Sequence, residues 1–206
     1  MSQYDKNPPL LEADALPDPL AQFARWMSEA EAAGLIEPTA MTLATVNGAG
    51  QPSARMVLFK GLHEGAFTFY TNYKSRKGLE LSHQPKVSLL FWWDQLQRQI
   101  RIEGRAQRLS REMSEQYFHA RPRASQLSAM TSRQSQVVAT RDELDARYKA
   151  NEQRLEGQPV PHVEFWGGFG VKPELMEFWQ GRRDRLHDRL LYRRDKSSWK
   201  IERLEP

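Results

Sequence analysis

"MTLATVNGAGQPSARMVLFKGLHEGAFTFYT" (residues 41–71) holds three short runs rich in apolar and β-branched residues, separated by the turn-forming clusters "NGAGQP" and "GLHEG". Runs of this length bounded by Gly, Asn and Pro predict strands over 41–46, 53–60 and 66–71. Working outward, a short helical piece around "SRKGLELSHQ" leads to a fourth run, "KVSLLFWW" (86–93). A fifth, "RQIRIEGRAQRL" (98–109), alternates, so that Gln99, Arg101, Glu103, Arg105 and Gln107 share one face of a strand. Strands at such regular spacing predict a mainly antiparallel sheet or barrel.

Helices flank this core. Asp18 can cap a helix with Pro19 in its first turn; Leu20, Phe23, Met27 and Ala30 then recur at helical spacing until Gly34. A second helix is predicted from near Ser110 to just before Pro122. A third starts at Thr140, where Glu143 completes a capping-box spacing, and runs to Gly157. The last third, "FWGGFGVKPELMEFWQG", "RLLYRR" and "WKIERL", returns to strands. Residues 1–17, with Pro8, Pro9 and Pro17, read as an arm that a ligand or partner subunit would have to order. Residues 18–206 read as one domain, because no repeat, low-complexity tract or composition break divides them.

Composition narrows the chemistry. The 206 residues are 39% hydrophobic and 27% charged, as in a folded soluble protein, and they include six Trp, six Tyr and nine Phe. No apolar run has membrane-spanning length and the start lacks a signal-peptide pattern, so a cytoplasmic protein is expected. The absence of Cys removes disulfides, thiolate metal sites and thiol nucleophiles. "GGFG" lacks dinucleotide-fingerprint spacing, and Walker, nucleophile-elbow and paired-histidine zinc motifs are missing. With five scattered histidines, no metal is expected.

Cations and hydroxyls at element ends remain. In "SARMVLFK", alternation puts Arg55, Val57 and Phe59 on one face and Met56, Leu58 and Lys60 on the other, which fits a half-buried strand equally well. Ser75, Arg76 and Lys77 stand at a helix N-terminus, where backbone N–H groups and two cations suit a phosphate. Tyr117, Arg121 and Ser125 are spaced by four, but Pro122 ends the helix, so a turn must bring Ser125 round. "GRRDRLHDRLLYRR" (181–194) packs six arginines, two aspartates and a histidine into fourteen residues. Read as a strand, it puts Arg185, His187 and Arg189 on one side. Asp184 and Asp188 weaken a simple polyanion-binding reading, since such a surface gains from unpaired cations.

Together "RMVLFK", "FYTNYKSRKGLEL", "RQIRIEG", "YFHARPRASQL", "SRQS", "FWGGF", "EFWQG" and "RLHDR", with the ending Trp199 to Pro206, resemble the pyridoxine (pyridoxamine) 5'-phosphate oxidases in order and spacing over residues 18–206. The resemblance implies a split β-barrel with flanking helices, a homodimer whose sites both subunits build, and FMN as cofactor. It implies oxidation of pyridoxine 5'-phosphate or pyridoxamine 5'-phosphate to pyridoxal 5'-phosphate, with O2 reduced to H2O2. Carried over by motif, the FMN-binding residues are Arg55, Met56, Val57, Leu58, Phe59, Lys60, Tyr70, Thr71, Arg76, Lys77, Gln99, Gln134, Ser135, Trp179 and Arg189. Substrate binding falls to Lys60, Tyr117, Arg121, Ser125, Arg185, Leu186 and His187, with Arg185 and His187 as the catalytic candidates. The arm departs from the family pattern, offering only Tyr4 and Lys6 where many members close a segment over the substrate. Arg182 and Arg183 fall in a variable loop and, with Arg193 and Arg194, read as solvated or paired charge.

Two other readings have distinct signatures. A related split-barrel flavin oxidase, of the phenazine-biosynthesis type, would be yellow yet unreactive with these phosphate esters. A non-catalytic basic nucleic-acid-binding module would be colourless and salt-sensitive in binding. The phosphate-clamp residues and "RLHDR" favour the phosphate ester, and neither nucleic acid nor a membrane is expected as partner.

Overall fold

The computed structural model describes Tyr4 and residues 7–206. The opening stretch folds as its alternation predicts: β1 (Ala40–Val46) and β2 (Pro52–Leu58) pair antiparallel from Ala40↔Leu58 to Val46↔Pro52. Asn47 closes their turn, its Oδ1 accepting from the N–H groups of Ala49 and Gln51, while Gly50 takes a positive φ. β3 (Leu62–His63), β4 (Ala66–Asn72), β5 (Lys86–Trp93), β6 (Arg98–Arg108), β7 (Trp166–Gln180), β8 (Asp188–Asp195) and β9 (Ser198–Arg203) complete the set. The sheet runs β2-β1-β5-β6-β7-β4-β3, with β8 also on β7 and β9 on β8, and each pairing is antiparallel.

β7 divides the sheet. Its first half pairs with β4 (Asn72↔Trp166 to Phe67↔Val171) and its second with β8 (Leu175↔Arg193 to Gln180↔Asp188), while β6 follows its other edge. Pro173 and Glu174 bulge opposite the Glu103–Gly104 step, and a Cβ on Gly104 would lie 2.1 Å from the Lys172 carbonyl oxygen. Such a bulge bends a strand, and here it lets β6 and β7 curl around the core. That core contains Phe67, Phe69, Leu89, Phe91, Ile100, Ile102, Met176 and Phe178. α1 (Pro19–Ala32), capped by Asp18 Oδ1 accepting from the Leu20 N–H, lays Phe23, Trp26, Met27 and Ala30 on it. The result is the split β-barrel with flanking helices that the resemblance implied.

Helix α2 (Arg76–His83) joins β4 to β5, and α3 (Arg111–Ala120), α4 (Arg123–Thr131) and α5 (Arg141–Arg154) lie between β6 and β7. α3 and α4 share a second apolar cluster, Phe118, Leu127, Leu155, Val160 and Trp166. Ser110 and Thr140 cap α3 and α5 as their spacing predicts.

Three expectations are corrected. Ser125 is not carried on a turn: Pro122 caps a new helix, α4, because its fixed φ suits a helix start as well as it stops α3. Arg185 and His187 do not lie on a strand with Arg189, since residues 183–185 form a 3-10 turn in which Asp184 and Arg185 take positive φ of 56° and 62°. β8 begins only at Asp188. Finally, residues 7–17 of the arm pack against the C-terminal strands. Leu10 is buried, Arg203 binds Glu12 and the Leu10 carbonyl, and Tyr192 Oη donates to the Leu16 carbonyl. Lys6 lies outside the described residues. Among the described residues no helix is long and apolar enough to cross a membrane.

Candidate active site

β2, β4, α2 and the α3–α4 corner enclose a cavity of about 420 Å³ lined by Met56, Val57, Leu58, Lys60, Tyr70, Thr71, Lys77, Tyr117, Arg121, Pro122, Ser125, Gln134 and Trp166. Strand pairing explains the convergence of segments distant in sequence. Lys60 N–H donates to the Thr68 carbonyl, and Asn72 pairs with Trp166. Gln126 then locks the α3–α4 corner, its Nε2 donating to the carbonyls of His119 and Arg121. Tyr117, Arg121 and Ser125 consequently face one space although a proline separates them.

Two halves of this cavity differ in electrostatics. Near α2, Lys77 is buried and its Nζ donates to Thr71 Oγ1 (3.3 Å), which donates to Gln134 Oε1 (3.2 Å). Burial and the nearby Arg55 charge lower the Lys77 pKa. Near the corner, the rings of Tyr70, Tyr117 and Trp166 stack nearly parallel, with Tyr70 and Tyr117 centroids 3.8 Å apart. Burial raises the Tyr70 pKa, with Tyr117 and Tyr73 adding to it. Arg121 lies over the Trp166 ring at 4.4 Å, and its Nη1 is buried with no hydrogen-bond partner among the described residues. An orphaned guanidinium nitrogen in a cavity with hydroxyls is a donor set prepared for an anion.

Behind α2, the carboxylate of Glu80 gathers the remaining cations. It accepts from Arg55 Nη2 (3.2 Å), Arg76 Nε (2.8 Å), Thr45 Oγ1 (2.5 Å) and Ser53 Oγ (2.9 Å). Burial alone would raise the Glu80 pKa, but these hydrogen bonds and the Arg55 charge outweigh it and hold the group at about 2. Arg76 and Ser135 lie here, on an adjoining depression that also includes Glu80, and Phe59 packs into the barrel core. Glu80 was not singled out in the sequence, although its i, i+4 spacing from Arg76 is the signal for such a pair. Trp166 stood in a quoted motif without a role.

The other candidates gather elsewhere. Gln99, Trp179 and Arg189 are direct neighbours across β6, β7 and β8, and Trp179 meets His187 at 4.6 Å between centroids. The His187 Nδ1 accepts from the Arg182 N–H (3.0 Å), which assigns the imidazole proton to Nε2. Burial and then the charge of Arg185 lower its pKa, against the opposite pull of Asp188. Tyr4 stands edge-on to both Trp179 and His187, at 5.9 and 5.5 Å, so part of the arm reaches this cluster. Arg185 and Leu186 are exposed beside it. Arg189 donates from Nε to buried Glu177 (2.8 Å), which also holds Arg101 (2.5 Å). Arg182 pairs with Asp188 and Arg193 with Glu202, so these two are paired charges, while Arg194, exposed, stacks on Trp199.

Trp166 in the cavity and Trp179 in the second cluster stand on one strand, thirteen residues apart, which at the usual strand rise is roughly 40 Å of chain. Within one chain the candidates therefore fall into two groups, toward the two ends of β7.

A split barrel bearing a cationic, hydroxyl-rich cavity and a separate aromatic and guanidinium cluster is the architecture of a split-barrel oxidoreductase. The family model "Pyridoxamine 5'-phosphate oxidase" matches residues 27–154, and "Pyridoxine 5'-phosphate oxidase C-terminal dimerisation region" matches 166–206. The chain belongs to the pyridoxine/pyridoxamine 5'-phosphate oxidase family. Curated relatives of that name include those of Rubrobacter xylanophilus, 55% identical over 96% of this chain and 91% of the relative, and Bordetella pertussis, 54% identical over 98% and 96%. The crystal structure of PhzG from Burkholderia lata 383 in complex with tetrahydrophenazine-1-carboxylic acid superposes with a TM-score of 0.90 at 31% identity, covering 96% of this chain and 98% of that one. An FMN-binding, pyridoxamine 5'-phosphate oxidase-related protein from Nostoc punctiforme shares the fold at 18% identity and a TM-score of 0.76, over 93% of this chain and 99% of that one.

Proposed function

We propose that this chain oxidises pyridoxine 5'-phosphate or pyridoxamine 5'-phosphate to pyridoxal 5'-phosphate, using FMN and O2, in a homodimer whose sites join the cavity of one subunit to the Trp179–His187 cluster of the other. The observation that carries the substrate class is the buried Arg121 Nη1, which has no hydrogen-bond partner among the described residues and stands in a cavity also lined by Tyr117 and Ser125. Curated relatives at above 50% identity over nearly the whole chain bear this activity in their names.

The residues fit FMN. Lys77 and Arg76 at the start of α2, with Ser135 on the same depression as Arg76 and Arg55 behind, suit its phosphate, and Thr71 and Gln134 suit the ribityl hydroxyls. Trp179, Gln99 and Arg189 offer a ring, an amide and a guanidinium to the flavin ring. When bound, FMN supplies the two-electron acceptor that O2 regenerates with release of H2O2.

The chain's own contribution is positioning. Lys60, Tyr117, Arg121 and Ser125 hold the ester phosphate, which fixes the pyridine ring relative to the acceptor. Arg185, exposed on its strained turn, covers the ring from the partner side, and His187 offers its Nε2–H to a ring substituent. Tyr4 limits access of water beside His187. With the alcohol substrate, one O2 yields one aldehyde and one H2O2; with the amine, one water is also consumed and one ammonia released.

The test is anaerobic addition of pyridoxine 5'-phosphate to the purified yellow protein. The flavin absorbance bleaches and returns with air. Bound flavin that this ester and pyridoxamine 5'-phosphate both fail to bleach assigns the chain to a different substrate, such as the phenazine precursors of its structural relative. Colourless protein that does not take up FMN overturns the flavoenzyme reading.

A further inference from the structure

Arg121 differs from Arg55, Arg76 and Arg189 in what holds it. Arg55 and Arg76 are pinned by Glu80, and Arg189 by Glu177; in each case a carboxylate fixes the guanidinium and offsets its charge. No ion pair of the described residues includes Arg121, and of the charged or ionisable groups only Tyr117 acts on its pKa, which burial lowers. What fixes the side chain is the face of Trp166, 4.4 Å from the guanidinium carbon. Trp is the strongest aromatic partner for a cation, and unlike a carboxylate it leaves the full charge available to an incoming anion.

Trp166 is itself rigidly seated. It is 7% exposed, it opens β7 opposite Asn72, and its N–H donates to the Val163 carbonyl. Its ring lies within 3° of parallel to Tyr117 and meets Phe118 edge-on at 5.4 Å. The indole thus links two phosphate-clamp side chains, Tyr117 and Arg121, to the start of the strand whose far end carries Trp179.

We propose that Trp166 is a positioning residue for the substrate phosphate: by stacking under Arg121 without neutralising it, Trp166 aims Nη1 into the cavity and sets the preference for phosphorylated over unphosphorylated pyridines. This rests on the reading of Tyr117, Arg121 and Ser125 as the phosphate clamp.

The experiment compares wild type, Trp166→Leu and Trp166→Phe as FMN-loaded proteins. It measures KM and kcat for pyridoxine 5'-phosphate and competitive inhibition by pyridoxal 5'-phosphate and by pyridoxal. In W166L, the KM and the inhibition constant of pyridoxal 5'-phosphate rise about tenfold, the loss expected for one partly desolvated cation–π contact, and kcat falls by less. Inhibition by pyridoxal, which has no phosphate, shifts by less than about twofold, because that contact serves the phosphate. W166F keeps a ring against Phe118 and loses about threefold, and it carries the same comparison if W166L does not fold. Equal shifts for pyridoxal and its phosphate, or no shift in a folded variant, overturn the proposal. A wild type that does not distinguish the two compounds overturns the functional reading itself.

Discussion

Glu80 shows how one side chain can govern a site without facing it. Its carboxylate is 5% exposed and accepts from two guanidinium groups and two hydroxyls. Its folded pKa of about 2 lies below the ordinary carboxylate value. The contribution to stability is therefore full above the unfolded pKa and is lost as pH falls through the range down to about 2. Glu80→Ala leaves Arg55 without its carboxylate and costs about 3 kcal/mol, within the range for breaking a buried ion pair. In urea unfolding between pH 7 and pH 3 the variant loses less stability on acidification than wild type does; an equal loss removes Glu80 as the responsible group. The sequence made the cations visible, since Arg and Lys at a helix start are an electrostatic anomaly. It could not reveal which of them are already paired, because Arg55 and Glu80 meet only after β1 and β2 fold back beside α2. Trp166 escaped notice for the same reason: its value lies in a guanidinium forty-five residues earlier in the chain.

At the level of elements, β7 carries most of the architecture. The glycines of "FWGGFG" are not a nucleotide loop but the points where this strand admits its neighbours. A Cβ on Gly167 would stand 2.1 Å from Tyr73 Oη and 2.7 Å from Ser114 Oγ. Gly167→Ala is accordingly expected to cost about 1–3 kcal/mol by overpacking, read as a lowered urea midpoint with unchanged slope. A wild-type midpoint would mean that Tyr73 and Ser114 yield freely. Strand positions were legible because alternation and turn residues are local signals, and the caps at Asp18, Ser75, Ser110 and Thr140 all form. α4 was missed because a proline was read only as a stop. The turn at 183–185 was missed because Arg185, like Asp184 before it, adopts a left-handed backbone that an arginine does not announce.

For the whole molecule, the two groups of candidates pose the question that one chain leaves open. The cationic cavity and the Trp179–His187 cluster lie toward opposite ends of β7, and Met56 and Leu58, which line the cavity, are exposed on edge strand β2. The C-terminal strands that carry the second cluster match the family's dimerisation region. In the proposed homodimer, two-fold symmetry lets each subunit lend its second cluster to the other's cavity. The direct measurement is complementation between Arg121→Ala, defective in the cavity, and Arg185→Ala, defective in the cluster. Each homodimer should oxidise pyridoxine 5'-phosphate poorly. A heterodimer isolated with two different tags should regain about half the wild-type activity, because one of its two composite sites is then intact. A pure heterodimer no more active than its parents would contradict a site shared between subunits.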